Sequence, residues 1–236
     1  MPEPLRVQVS SQQTTAAIAY PAQSEHTIGV TLILGHGAGA GQTSDFIVDF
    51  AGGLAARGID VITFNFLYRE QGRRIPDPND RLEACWRAVI EAVRTRMRPG
   101  RDALAIGGKS MGGRIASQVA AGGIGGLAGL VFLGYPLHPP GRPDRLRGAH
   151  LPDINAPMLF VQGSRDAFGT PDELRPIVVQ LEPSAELYVV EGGDHSLGVT
   201  KSHLKMNGET QDVVDLRILE AIRQFVTAQQ KERKTF

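Results

Sequence analysis

Short runs of β-branched and aliphatic residues alternate along this chain with longer amphipathic stretches, and this alternation restricts the fold more than any other feature. Strands and helices in this order form a mostly parallel, doubly wound sheet with helices on both faces. The sequence therefore predicts an α/β protein. Six runs are the candidates for its central strands: residues 31–34, 61–64, 104–106, 130–133, 158–161 and 187–190.

Helical periodicity marks two of the connecting stretches most clearly. Apolar residues recur at helical spacing over residues 82–97, and Pro99 and Gly100 end that pattern. A second apolar stripe spans residues 213–226, followed by a polar and basic tail. At the other terminus, residues 5–9 and 15–20 predict two short strands that form an antiparallel edge on the sheet. The proline-rich stretch 136–157 has no helical pattern, so any lid there is minimal.

Size and charge narrow the class of protein. A chain of 236 residues predicts one domain, residues 1–236, and its 25 basic residues balance 25 acidic ones. This balance gives no reason to expect nucleic acid or an anionic membrane as a partner, and it leaves the oligomeric state open. The lone Cys85 cannot form an internal disulfide, and the first residues lack the pattern of a signal peptide, so we expect a cytoplasmic protein.

The strand candidate at 104–106 runs directly into a glycine-rich turn and then a helix. This turn, Gly108-Lys109-Ser110-Met111-Gly112, has the form G-x-S-x-G. A serine exposed on such a strained strand-to-helix turn needs small residues on both sides, because strand and helix approach closely there. Ser110 is therefore the candidate nucleophile.

A phosphate-binding loop is the competing interpretation of the same turn. Gly108-Lys109-Ser110 matches the end of the pattern G-x-x-x-x-G-K-[ST]. The first glycine of that pattern would fall on Ala103, inside the strand. This departure favours the nucleophile.

A serine nucleophile needs a base, and the base needs an acid that orients it. Asp166 follows the strand candidate at 158–161, and His195 follows the one at 187–190, so both are predicted at the sheet edge that carries Ser110. Where the nucleophile lies on a strand-to-helix turn of a doubly wound sheet, the expected chain order is Ser, acid, His, and these three residues follow it. Asp194 is the alternative acid, although a sequence neighbour of the histidine seldom points at its ring.

A tetrahedral oxyanion needs two backbone N–H donors. Met111, directly after the candidate nucleophile, is expected to supply one, and Ala38 the other, from the loop His36-Gly37-Ala38-Gly39 that follows the first central strand. A dinucleotide-binding fingerprint is the rival interpretation of this loop. It fails from Gly35 and from Gly37, where Ala40 and Gln42 replace the last glycine.

Four segments carry a combined pattern: His36-Gly37-Ala38-Gly39, the stretch from Gly108 to Arg114, Gly134-Tyr135-Pro136-Leu137-His138-Pro139-Pro140-Gly141, and Gly193-Asp194-His195-Ser196. Together they resemble the dienelactone-hydrolase-like group of α/β-hydrolases. Relatives of that group include a testis-expressed protein and the hydrolase-like subunit of a nuclear histone-acetyltransferase complex. The resemblance implies the α/β-hydrolase fold and a catalytic triad of Ser110, Asp166 and His195, and it leaves the substrate open.

These observations predict a serine hydrolase that cleaves a small carboxylester or thioester without a cofactor. Six histidines without paired ligand spacing, and a single cysteine, indicate no metal site. Gly37, Tyr68, Arg69 and His138 are the candidate substrate-binding residues, because they follow strand ends. A non-catalytic scaffold that keeps the hydrolase fold is the alternative from another class, and lyase or perhydrolase chemistry on the same three residues is a third.

Overall fold

A computed structural model describes residues 1–23, 27–97 and 102–235 of the chain, apart from the side chains of 232, 234 and 235. Its eight strands form one sheet in the order β1-β2-β4-β3-β5-β6-β7-β8. The strands are β1 (Glu3–Ser10), β2 (Gln13–Tyr20), β3 (Val30–Gly35), β4 (Asp60–Phe64), β5 (Ala103–Lys109), β6 (Leu127–Leu133), β7 (Met158–Gly163) and β8 (Ala185–Val190).

Seven helices connect or follow these strands in the described part of the chain. They are α1 (Asp45–Ala55), α2 (Leu67–Glu70), α3 (Asn79–Arg94), α4 (Met111–Ala121), α5 (Pro171–Val178), α6 (Lys201–Asn207) and α7 (Gln211–Thr235).

The sheet matches the prediction. Strands β3 to β8 pair in parallel, and each of the six predicted central runs lies inside one of them. Strands β1 and β2 pair antiparallel, and β2 joins β4 antiparallel, so the predicted antiparallel edge is confirmed. The mostly parallel α/β fold is therefore the observed one.

The helices were predicted less completely. The predicted helix over 82–97 is observed as α3, which begins at Asn79 and ends at Arg94, and the predicted stop at Pro99 and Gly100 lies outside the described residues. The last helix, α7, extends beyond its apolar stripe to Thr235. Between β6 and β7 the chain forms only the short 3-10 turn Leu151–Asp153, in agreement with the minimal lid expected there.

Two apolar layers enclose the sheet, because side chains alternate between its faces. Along β3, Ile33 faces the layer formed with α3, α4 and α5, whereas Leu32 and Leu34 face the layer formed with α1 and α7. All three side chains are fully buried. Burial on both faces explains why the central strands consist of nearly continuous apolar residues.

Glycines allow β5 to approach β6, and α4 to approach β3, at very short distances. A Cβ built on Gly107 would lie 1.9 Å from the carbonyl oxygen of Val131, and one on Gly112 would lie 2.3 Å from that of Gly35. No real Cβ approaches a backbone atom so closely. The sheet can therefore keep its spacing around the β5-to-α4 turn only with glycine at these positions.

Gly107→Ala should lower the free energy of unfolding by at least about 1–3 kcal/mol, because the new methyl group collides with the β6 backbone. Urea unfolding of the purified proteins measures the change. Gly52→Ala is the matched control: it lies in α1 with no heavy atom within 4 Å of the added Cβ. It should raise the stability by about 0.5–1 kcal/mol, because alanine favours a helix. Equal stabilities for the two variants would contradict the close packing.

Candidate active site

The turn between β5 and α4 holds Ser110 in a backbone conformation that side-chain-bearing residues rarely adopt. Its φ is 49° and its ψ is −115°. The Ser110 N–H donates to the carbonyl of Leu133 at 3.0 Å, which ties the turn to the end of β6. The chain thereby reverses sharply at Ser110 and presents its hydroxyl at the carboxyl edge of the sheet.

Three predicted residues from three separate loops meet at this edge. The Ser110 Oγ lies 2.8 Å from Nε2 of His195, and Nδ1 of His195 lies 2.8 Å from Oδ2 and 3.0 Å from Oδ1 of Asp166. With Asp166 as the acceptor, Nδ1 carries the imidazole proton and Nε2 is left free to accept the proton of Ser110. The arrangement can activate a hydroxyl.

Asp166 is buried, and its carboxylate is held by neutral donors as well as by the histidine. The Gln162 side-chain amide donates to Oδ2 at 2.8 Å, and the Phe168 N–H donates to Oδ1 at 2.8 Å. The Gln162 Oε1 in turn accepts from the Tyr135 N–H at 2.8 Å. These bonds satisfy a charge that burial would otherwise penalise, and they fix its direction towards His195.

Two neighbours restrict the imidazole ring itself. Phe168 stacks on the His195 ring with centroids 4.1 Å apart and an interplanar angle of 26°. The Lys109 ammonium donates to the His195 carbonyl, and it is buried. Burial lowers the pKa of Lys109 to about 8, and the negative charges of Asp166 and Asp194 partly offset this by raising it. His195 is therefore held at both its ring and its backbone.

Asp194, the alternative acid, makes different contacts. Its Oδ1 accepts from the backbone N–H of Ser196 at 2.7 Å and of Gly198 at 3.0 Å. The carboxylate closes its own loop, and the bonds to Nδ1 of His195 come from Asp166. The geometry favours Asp166 as the orienting acid.

The loop after β3 lies directly beside Ser110. A Cβ on Gly37 would lie 3.7 Å from Cβ of Ser110, and Gly37, Ala38 and Met111 all line the same cleft. His36 fixes one peptide of this loop. Because the Phe66 N–H donates to its Nε2 at 3.2 Å, Nδ1 carries the proton and donates to the Gly37 carbonyl at 2.8 Å.

This bond sets the direction of the Ala38 amide. In a trans peptide the C=O and the following N–H point in opposite directions. With the Gly37 carbonyl turned towards the His36 ring, the Ala38 N–H is turned away from it. Burial lowers the pKa of His36 to about 4, with a smaller contribution in the same direction from Arg69. The ring therefore stays neutral and keeps both bonds at neutral pH.

A cleft of about 560 Å³ opens over these residues. Its lining includes Ser110 and His195, and it also includes side chains that sequence reasoning did not select. They are Phe46 and Ile47 of α1, Asp77, Asn79 and Leu82 around the start of α3, Arg114 of α4, Arg147, and Phe168. The sequence gives little indication that these residues line the cleft, because most of them lie on loops or helix turns that carry no motif.

Three candidate substrate-binding side chains lie elsewhere than in the lining of this cleft. Tyr68 is fully buried and stacks on Phe66. The Arg69 guanidinium donates to the Arg73 carbonyl at 3.3 Å. The His138 ring lies 3.2 Å from the Glu173 carboxylate and is likewise buried. Gly37 is the one member of that group in the lining.

The described residues contain no group of three or more His, Cys, Asp or Glu side chains arranged to hold a metal ion. In the same part of the chain, no helix combines the length and the apolar character needed to cross a bilayer.

Comparison with known families places the chain in one of them. The model of the alpha/beta hydrolase domain family matches residues 29–227. The chain belongs to this family.

Solved structures show the same fold at low sequence identity. An α/β serine hydrolase without a lid from Xanthomonas campestris is 19% identical, with a TM-score of 0.69, over 98% of this chain and 94% of that one. A serine hydrolase homologue from Coxiella burnetii is 18% identical, with a TM-score of 0.68, over 96% of both chains. A dienelactone hydrolase from Anabaena variabilis is 19% identical, with a TM-score of 0.66, over 96% of both chains.

The low pKa of His36 predicts a pH-dependent term in stability. Below its ordinary pKa of 6.5 the unfolded chain binds a proton at this residue, whereas the folded chain does so only near pH 4. The folded state therefore loses stability as the pH falls, by about 2 kcal/mol between pH 7.5 and pH 5. Urea unfolding of the wild type and of His36→Gln at both pH values measures this term.

The variant should lose less stability than the wild type over that interval, because its amide does not titrate. Comparing the two proteins cancels the contributions of the remaining groups. A fall of the same size in both would contradict a neutral, buried His36.

Proposed function

We propose that the protein is a serine hydrolase that cleaves a carboxylester or thioester through an acyl-enzyme intermediate. The proposal rests on one observation above all, the continuous hydrogen bonding from Ser110 through His195 to Asp166 at the floor of the cleft. Membership of the alpha/beta hydrolase domain family supports it. The chemistry uses the chain's own groups.

In the first half-reaction, the Ser110 Oγ attacks the substrate carbonyl carbon while Nε2 of His195 takes the hydroxyl proton. The carbonyl π electrons move to oxygen, and the Ala38 and Met111 N–H groups bind the resulting oxyanion. Asp166 stabilises the imidazolium. When the oxyanion collapses, the bond to the leaving alkoxide or thiolate breaks, and His195 gives that group its proton.

Water completes the cycle. His195 takes a proton from a water molecule as its oxygen attacks the acyl carbon of the Ser110 ester. The tetrahedral oxyanion collapses again, the Ser110 Oγ leaves and recovers the proton from His195, and a carboxylic acid is released. His36 acts in both halves as a positioning residue, since its bond to the Gly37 carbonyl turns the Ala38 N–H.

Four further properties belong to this proposal. We infer from the four motifs that the chain is related to the dienelactone-hydrolase-like group and its testis-expressed and histone-acetyltransferase-associated relatives. We treat the chain as one domain, since hydrogen-bonded strands connect its first strand to its last in a single sheet. We also place it in the cytoplasm and assign it a small-molecule substrate.

A fluorescent fluorophosphonate should label the wild-type protein stoichiometrically at Ser110, because only an activated serine readily attacks the phosphorus and displaces fluoride. Mass spectrometry of the peptides locates the adduct. Ser110→Ala and His195→Ala should abolish labelling and should lower the turnover of nitrophenyl esters by roughly 10³-fold or more. Their far-UV circular dichroism should match that of the wild type.

Ser202→Ala is the matched control, since this exposed serine lies on α6, away from the cleft lining. It should label and turn over like the wild type. Folded wild-type protein that resists labelling, or activity that survives both substitutions at the cleft, would reject the mechanism and favour a non-catalytic scaffold with the same fold.

The two candidate acids are distinguished by a second pair of variants. Asp166→Asn should lower kcat by about 10³–10⁴-fold, because the amide no longer holds His195 in the tautomer with Nε2 free. Asp194→Asn should change kcat far less, because its carboxylate bonds backbone donors within its own loop. Steady-state kinetics on one activated ester measures both. A larger loss in the Asp194 variant would reverse the assignment.

A further inference from the structure

Two arginines line the cleft that contains Ser110 and His195. Arg114 lies on α4, one helical turn after Ser110, and Arg147 lies on the loop between β6 and β7. The Arg114 side chain lines the cleft from α4, and its guanidinium lies 3.3 Å from Oδ1 of Asn79 at the start of α3. The two cations thus reach the cleft from separate elements.

Neither arginine forms an ion pair with a carboxylate among the described residues; the charge of Glu83 raises the pKa of Arg114, but the carboxylate of Glu83 pairs with Arg87 at 3.9 Å. The Arg114 guanidinium donates to two neutral oxygens, Oε1 of Gln118 and Oδ1 of Asn79, each at 3.3 Å. The described residues give the Arg147 side chain no hydrogen bond or ion pair. Elsewhere the chain does pair arginine with acid, as in Arg142 with Asp144 at 3.1 Å.

The other charged groups of the cleft lining are already engaged. Asp77 pairs with Arg73 and with Arg81, both of which approach it from outside the lining. The Lys109 ammonium is held by the His195 carbonyl. The charge left for a bound molecule is therefore positive, and it is concentrated at Arg114 and Arg147.

Holding these two cations together costs the folded protein energy. Both side chains are half-buried, and burial lowers the pKa of Arg114, with a further lowering from the charge of Arg147. Like charges in such a place repel more strongly than in open water. A bound anion would remove that repulsion and would gain charge-assisted hydrogen bonds in return.

The segment that carries Arg147 is fixed in advance. The Arg147 N–H donates to the Leu137 carbonyl at 2.7 Å, and the Tyr135 hydroxyl donates to the Arg147 carbonyl at 3.0 Å. Little backbone freedom remains to be lost when a ligand binds. The lining of the cleft also includes apolar side chains, those of Phe46, Ile47, Leu82, Met111 and Phe168.

We propose that Arg114 and Arg147 bind a carboxylate group of the substrate. The substrate is then an ester or thioester that has an apolar segment between its reactive carbonyl and its anionic end. This inference rests on the proposed function, because it specifies the substrate of the same site. Guanidinium groups match the planar geometry of a carboxylate, and two of them give both charge and direction.

Paired substrates that differ only in the charge test the proposal. One pair places the charge in the acyl half: 4-nitrophenyl hydrogen adipate and its methyl ester. The other places it in the alcohol half: 4-acetoxybenzoate and its methyl ester. The wild type should show a kcat/KM about tenfold or more higher for the anionic member of at least one pair.

Arg147→Gln and Arg114→Gln should each raise KM for that anionic substrate by about tenfold or more, and each should lower the ratio of kcat/KM for the anionic substrate to kcat/KM for its neutral partner by a similar factor. Arg145→Gln is the matched control, since it removes the same charge from an exposed position of the same loop. It should behave like the wild type on both substrates.

A binding measurement keeps the test independent of turnover. Calorimetry with Ser110→Ala should detect adipate and should detect weaker binding or none of neutral adipamide, and adding Arg147→Gln should abolish the difference. No preference for the anion in either pair, no binding of adipate, or a preference that survives both arginine variants would overturn the proposal. Failure of the proposed function has a different signature: neutral esters are not cleaved, and Ser110 takes no fluorophosphonate.

Discussion

The sharp reversal of the chain at Ser110 is the constraint on which the rest of the site depends. A positive φ at a residue with a side chain costs about 1–3 kcal/mol, so the surrounding structure must hold it there. The surrounding contacts are backbone contacts, at Gly107 with β6 and at Gly112 with β3. The glycines that let β5 approach β6 and α4 approach β3 thus help to place the Ser110 hydroxyl at the carboxyl edge of the sheet.

The end of β7 fixes the position of Asp166, which His195 contacts. Gln162 is the second-last residue of β7. Its side-chain amide donates to Asp166 and to the Gly169 carbonyl, and its Oε1 accepts from the Tyr135 backbone N–H. One buried amide therefore connects the loop after β6 to the loop after β7. His195 then needs only to reach a carboxylate whose position is already set, which explains how three loops can hold distances of 2.8 Å.

Sequence reasoning succeeded where periodicity and chain order carry the information. The central strands and the meeting of Ser110, Asp166 and His195 follow from apolar runs and from the rule that parallel strands end at one edge. Helix α1 was not predicted, because Gly52 and Gly53 inside it mimic a turn. The directions of side chains were also not predicted. Tyr68 and His138 follow strand ends, but Tyr68 contacts the His36 ring and His138 contacts Glu173, and neither side chain lines the cleft.

The short connection between β6 and β7 changes what selectivity at this site requires. Residues 136–157 form only one 3-10 turn, so this connection provides no large segment that could close over the cleft and exclude water. Charges in an open cleft are screened, so a single surface cation would discriminate weakly. Arg114 and Arg147 avoid that weakness in two ways, since both are half-buried and each comes from a rigidly held backbone. In our proposal, two half-buried guanidinium groups supply the selectivity that closure of a lid over a substrate would otherwise provide.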